Sequence, residues 1–213
     1  MGLKFIIPAR EGSKGMPHKN RTLVPIVINS IPKEHHEDVI LTTDDEALIE
    51  SVSDKKVQIR KRPKELASDK TSMKAVILDV VGACLVAEDD LLVVLYPTYP
   101  ERTYKEINAA LKFFHEHNLD SMLCKKEIKT HPFMCMVEKD DIYASELIKH
   151  PFYRRQDYPK CFEVCHYIII MHTKEIKKLN NVLLNKKTGF HTIKNKIDVD
   201  YKKDYENFIK KGE

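Results

Sequence analysis

Continuous apolar runs alternate along this chain with segments whose apolar residues recur at helical spacing. Leu3-Lys4-Phe5-Ile6-Ile7-Pro8 reads as a short buried strand. Asp38 to Thr43 reads as a second, Val57 to Arg60 as a third, and Asp90 to Leu95 as the clearest, an unbroken apolar run of the kind expected for a central parallel strand. Between them, Glu46 to Ser53 is amphipathic and opens on acids that suit a helix N-terminus. Ser72 to Ala87 spaces Ala75, Val76, Leu78, Val80, Val81, Cys84 and Leu85 as a helix does. Tyr104 to His117 predicts another amphipathic helix, and Asp120 to Cys124 a further strand. The 21–33 segment contains Pro25 and Pro32, so a helix there is expected to be short or missing.

Strand and helix thus alternate from residue 3 to about 124, which predicts a mainly parallel sheet with helices on both faces. In such sheets ligands bind beyond the C-terminal ends of the strands. The loops after residues 7, 43 and 95 would meet there. From about 131 to 170 the text changes to aromatics, prolines and short β-like runs. Cys165 to Met171 then looks like a strand returning to the sheet. Ile197 to Asp200 reads as a short strand end and Lys202 to Lys211 as a terminal helix.

Composition narrows the classes. The chain has 213 residues, 42% of them apolar and 32% charged, as in a folded soluble protein. No apolar run approaches the ~20 residues of a membrane span, and the N-terminus carries no secretory pattern. Net charge is +4, drawn from the region from Lys174 onward, where 11 lysines face 6 acids. That end reads as a solvated surface rather than a nucleic-acid site, since arginine and aromatics are not interleaved there. Five cysteines without a CxxC pair suit reduced thiols in the cytoplasm. Cys161, Cys165 and His166 are poorly spaced for zinc.

Arginine is scarce, at 7 against 29 lysines, and glycine numbers 6. Arg10, Gly12 and Gly15 nevertheless cluster in the loop Ala9-Arg10-Glu11-Gly12-Ser13-Lys14-Gly15-Met16-Pro17-His18-Lys19-Asn20. Two glycines let a backbone approach a ligand and turn sharply, and successive N–H groups form an anion nest. Arg10, Lys14 and Lys19 would surround it with charge suited to phosphates; a basic surface turn is the other reading. Glu11 must point away from such a nest or toward a metal. The spacing is neither that of a P-loop nor that of a dinucleotide-binding turn. Asp198 and Asp200, two apart on a strand, would share one side and could hold Mg²⁺ with phosphate oxygens, or be an ordinary acidic strand end. Arg154 and Arg155 suit a carboxylate or phosphate, or surface ion pairs. Asp44 and Asp45 suit helix capping as well as a ligand role.

The run Ile6 to Gly15, followed by Lys19-Asn20, resembles the N-terminal signature of the acylneuraminate cytidylyltransferases. In order along the chain, Thr42-Thr43-Asp44-Asp45, Arg62 to Asp69, Leu95 to Arg102, Tyr153 to Pro159, and Ile197 to Asp200 with Asp204 resemble further family segments. The resemblance implies a three-layer, mainly parallel α/β fold of the GT-A or Rossmann-like nucleotidyltransferase kind, spanning 1–213. It also implies an inserted β-rich cap of about 131–163 through which two copies pair.

As to chemistry, the resemblance implies transfer of CMP from CTP to an acidic sugar, Mg²⁺ as cofactor, and no nucleic-acid or membrane partner. It makes Arg10, Lys14 and Lys19 the catalytic candidates. Ala9, Gly12, Ser13, Gly15, Asn20, Arg62, Thr71 and Ser72 join Arg10 and Lys14 around the nucleotide. Tyr96, Thr98, Arg102, Arg154, Arg155 and Gln156 face the acceptor, and Asp198 and Asp200 the metal. The chain departs from the pattern at Tyr96, where relatives have Gln, at Tyr99, where they have Ser, at Cys165-His166 in place of Asn-Gly, and in the shortened 21–33 segment.

Overall fold

The computed structural model describes residues 2–212. Nine strands and five α-helices follow one another as β1 Leu3–Pro8, α1 Lys19–Asn29, β2 Val39–Thr43, α2 Glu46–Ser51, β3 Gln58–Lys61, α3 Met73–Ala83, β4 Leu91–Val94, α4 Tyr104–Glu116, β5 Ser121–Lys126, β6 Met136–Glu138, β7 Ala144–Glu146, β8 Glu163–His172, β9 Gly189–Thr192 and α5 Lys202–Gly212. Seven of the strands form one sheet in the order β3-β2-β1-β4-β8-β5-β9. The pairs β1–β2, β1–β4, β2–β3 and β5–β9 are parallel, and β8 runs antiparallel to β4 and β5.

Alternation along β1 builds the layers. Phe5 and Ile7 point to one face, where Val24, Val27 and Ile28 of α1 and Ile107, Ala110 and Phe114 of α4 close the core. Ile6 points to the other, against Ile77 and Val80 of α3 and Ile176, Leu179 and Leu183. Burying one such aliphatic side chain stabilises by roughly 1.5–3 kcal/mol. In β8, Tyr167 through Met171 are all buried, because the strand is covered on both faces and flanked on both edges.

Two expectations are corrected. The first helix is neither short nor missing: α1 spans 11 residues with Pro25 inside it. Pro25 has no N–H to offer the turn behind it, but the buried face of Leu23, Val24, Val27 and Ile28 holds the helix against the sheet, and packing outweighs propensity. Ile197 to Asp200 is not a strand but irregular chain. The last strand of the sheet is instead β9, paired with β5.

The antiparallel strand has a topological cause. The chain leaves the sheet at the end of β5, where the loops after β1, β2 and β4 also gather. It forms the separate β6–β7 hairpin sheet and re-enters from that same edge, so β8 must run back against its neighbours. The excursion is largely exposed and carries its own aromatic cluster, with Phe133 stacked on His150 and Tyr158 edge-on to both.

Candidate functional site

The loop after β1 is pinned from three sides. Ala9 donates its N–H to the Thr42 carbonyl at 2.9 Å. The Asn20 side-chain amide, at the start of α1, donates to the Arg10 carbonyl at 2.8 Å. Glu11 N–H donates to Asp44 Oδ1 at 2.9 Å. Asp44 and Asp45 therefore both act on backbone: Asp45 accepts from Leu48 N–H at the start of α2 and from Arg21 Nε at 2.8 Å. Burial works to raise the Asp45 carboxyl, but hydrogen bonds from Arg21 and Leu48 hold it below the usual carboxylate range. Glu11 turns to Arg21, at 3.2 Å. Glu11, His18 and Asp45 have ligand atoms within 4.8 Å of one another, and the Arg21 guanidinium already supplies a cation to both carboxylates.

No glycine of the loop takes a positive φ; within the loop His18 does, at 56°. What Gly15 provides is space. A Cβ there would collide with the Asp200 carbonyl oxygen and touch the Tyr201 ring. The glycine lets the β1 loop lie directly on the late acidic segment.

That segment is drawn in by three further contacts. Val199 N–H donates to the Thr98 carbonyl at 2.7 Å. Lys19 Nζ donates to the Val199 carbonyl at 3.0 Å and to Asp200 Oδ1 at 2.9 Å. Arg10, Ser13, Lys14, Gly15, Lys19, Asn20, Asp200 and Tyr201 thereby enclose a cavity of about 280 Å³. Asp198 lies beside it in sequence, with one carboxylate oxygen buried and without a hydrogen-bond partner. The buried Tyr99 phenol accepts from Cys165 Sγ at 3.5 Å, and burial, then Cys165 and Asp198 beside it, push the phenol well above its ordinary value.

The remaining candidates stand as follows. Arg62 is buried, with Nη2 donating to the Thr42 carbonyl at 2.9 Å, and burial pushes its pKa down to about 10. Thr71 shares a hydroxyl contact of 3.0 Å with Ser68. Ser72 is the N-cap of α3, accepting from Ala75 N–H at 3.2 Å. Tyr96, half-buried with its phenol pushed up to about 12 by burial, packs near His166 with ring centroids 5.4 Å apart. Arg102 is 2% exposed. It donates to the carbonyls of Tyr167 at 2.7 Å and Tyr96 at 2.8 Å, and burial lowers its pKa to about 10. Its guanidinium braces β8 against the loop after β4. Arg154 pairs with Asp157 of its own turn, and Arg155 and Gln156 are exposed on the excursion.

Two residues that sequence reasoning left out belong to the site. Tyr201 lines the cavity, and nothing in its local sequence signals that. Asp69 pairs with Arg10 and with Lys14. It closes the Arg62–Asp69 run, but its partners are known only once the chain is folded.

A family model described as cytidylyltransferase matches residues 4–210. An N-acylneuraminate cytidylyltransferase of Streptococcus agalactiae is 24% identical over 96% of this chain, and the chain spans about half, 52%, of that relative's length. A post-translational flagellin modification protein B of Campylobacter coli is 24% identical over 93% of this chain and 90% of its own. Among solved structures, a CMP:2-keto-3-deoxy-manno-octonic acid synthetase complexed with CTP is similar in fold. It has a TM-score of 0.67 at 14% identity and covers 98% of this chain and 97% of its own. A 4-diphosphocytidyl-2C-methyl-D-erythritol synthase from Anaerococcus prevotii gives 0.60 at 11%, covering 98% of both. A match that runs almost end to end, on a sheet whose loops gather cations and carboxylates at one edge, makes this chain a member of the cytidylyltransferase family.

Proposed function

We propose that this protein transfers CMP from CTP to an acidic sugar of the nonulosonic type, releasing pyrophosphate. One observation carries the reading: the cavity between the cationic β1 loop and the Asp198–Asp200 segment, with positive charge on one wall and carboxylate on the other. Arg10 and Lys14 bind the triphosphate, and their charge offsets what develops on the departing pyrophosphate. Lys19 adds charge at the wall while holding Asp200 in place. The acceptor hydroxyl attacks the α-phosphorus in line, and positioning with electrostatics supplies most of the acceleration. Arg154, Arg155 and Gln156 are the acceptor-side residues, the 131–163 excursion is the cap, and two copies pair through it.

The buried, unpartnered oxygen of Asp198 fits a cation. Asp198 and Asp200 would hold Mg²⁺ with phosphate oxygens. When bound, the ion neutralises phosphate charge.

A second reading, the same chemistry on another acceptor, is supported by the comparable fold likeness to the methylerythritol enzyme. Pyrophosphate release, screened with each NTP against nonulosonic acids, Kdo and sugar alcohol phosphates, tests both. Release with CTP and a nonulosonic acid is the expected result. Release only with another pair replaces the first reading by the second. No release with any pair leaves a binding protein and removes both.

A further inference from the structure

Asp69 occupies the cationic wall of the cavity. One of its carboxylate oxygens pairs with Arg10 Nη2 and the other with Lys14 Nζ at 2.6 Å. It sits in the loop between β3 and α3, which folds on itself. Thr71 N–H donates to the Ser68 carbonyl at 3.2 Å, and Thr71 Oγ1 donates to the Glu65 carbonyl at 3.3 Å. A small anion that offers two oxygens to two different cations presents the same chemistry as the edge of a phosphate group. Hydrogen bonds from Lys14 and then Arg10 keep this carboxyl below its ordinary range.

The same two cations are those read above as triphosphate ligands, and the inference rests on that reading. A phosphate and the Asp69 carboxylate together on them would set like charges side by side, which is unfavourable. We propose that Asp69 is a specificity-determining internal anion. It holds the phosphate seat until a polyphosphate of higher charge displaces it, so that phosphate binding and release of the Lys64–Ser72 loop are one event. Weakly charged anions then fail to take the seat, and nucleotide entry is coupled to movement of the loop that lies against the cationic wall.

Calorimetry with inorganic pyrophosphate on the full chain tests this. Asp69→Asn should bind it about two- to tenfold more tightly than the unaltered protein, the range expected for freeing two partly exposed ion pairs. Glu11→Gln removes an equal charge from the loop after β1, where Glu11 pairs with Arg21 and not with Arg10 or Lys14, and should gain less. Hydrogen exchange of the unaltered protein needs no variant: pyrophosphate should speed exchange at residues 64–71. Equal or weaker binding by Asp69→Asn, a gain no larger than that of Glu11→Gln, or unchanged or slowed exchange at 64–71 overturns the proposal. Pyrophosphate binding that survives Arg10→Ala with Lys14→Ala overturns the phosphate-site reading together with it. Loss of binding in that double variant beside an unresponsive Asp69→Asn overturns the Asp69 proposal alone.

Discussion

Lys19 and Asp200, 181 positions apart, share a hydrogen-bonded ion pair of 2.9 Å, and the same ammonium also takes the Val199 carbonyl. The first residue of α1 thereby holds the segment that precedes α5. The Lys19 side chain is largely buried while Asp200 stays open to solvent, so the pair anchors at one end and presents a carboxylate at the other.

Lys19→Met is expected to release the 197–201 segment. After allowance for the exposed partner, the loss of two hydrogen bonds from a charged donor should cost about 1–2 kcal/mol, read by urea unfolding. CTP-dependent pyrophosphate release should fall by roughly 100-fold. An unchanged rate would remove Lys19 from the site.

Gly15→Ala sets a Cβ against the Asp200 carbonyl, and backbone cannot yield as a side-chain tip does. Activity should drop by about 100-fold, the order lost when a catalytic wall shifts by an ångström. Far-UV circular dichroism should stay as in the parent, since the clash is confined to two loops.

Arg102 separates a packing role from an acceptor contact. Arg102→Met takes the charged donor from the Tyr167 carbonyl and leaves the Tyr96 carbonyl only a 3.4 Å bond from Tyr99 N–H; it should cost about 2–4 kcal/mol, seen as a lower urea midpoint. A variant with the parent midpoint and a raised acceptor KM would return Arg102 to the acceptor side.

Glu106 gives a pH signature. Burial alone would raise its carboxyl, but hydrogen bonds from Lys196, Tyr167 and Thr103 outweigh it and bring the pKa from 4.5 down to about 2. The folded value lies below the unfolded one. The stabilisation is therefore complete above about pH 4.5 and is lost as pH falls toward 2. Glu106→Gln should be less stable than the parent at pH 7, with the gap in melting temperature closing through that window. A gap constant from pH 7 to pH 2 would contradict the assignment.

Much of the fold was legible where physics is local. The strand β4 is an unbroken apolar run, β1 is apolar but for Lys4, β2 opens on Val39-Ile40-Leu41, and α4 has amphipathic spacing. The strand β9 was not legible, because Gly189-Phe190-His191-Thr192 has neither an apolar run nor alternation. The period-two acids Asp198 and Asp200 suggested a strand, but Val199 bonds only once to the Thr98 carbonyl, as a docked loop does. Pro25 argued against a helix that the sheet holds in place.

By itself the sequence determined the alternation of elements, the two apolar faces of β1 and the cationic character of the loop after it, since each depends on residues within a few positions of one another. Only the tertiary structure decided that β8 runs backwards, that Arg102 is spent on backbone carbonyls, and that Arg10 and Lys14 meet Asp69 while Lys19 meets Asp200. Those outcomes join residues far apart in sequence. Their partners are chosen by how the packed layers bring the chain back to one edge of the sheet, and no local pattern encodes that choice.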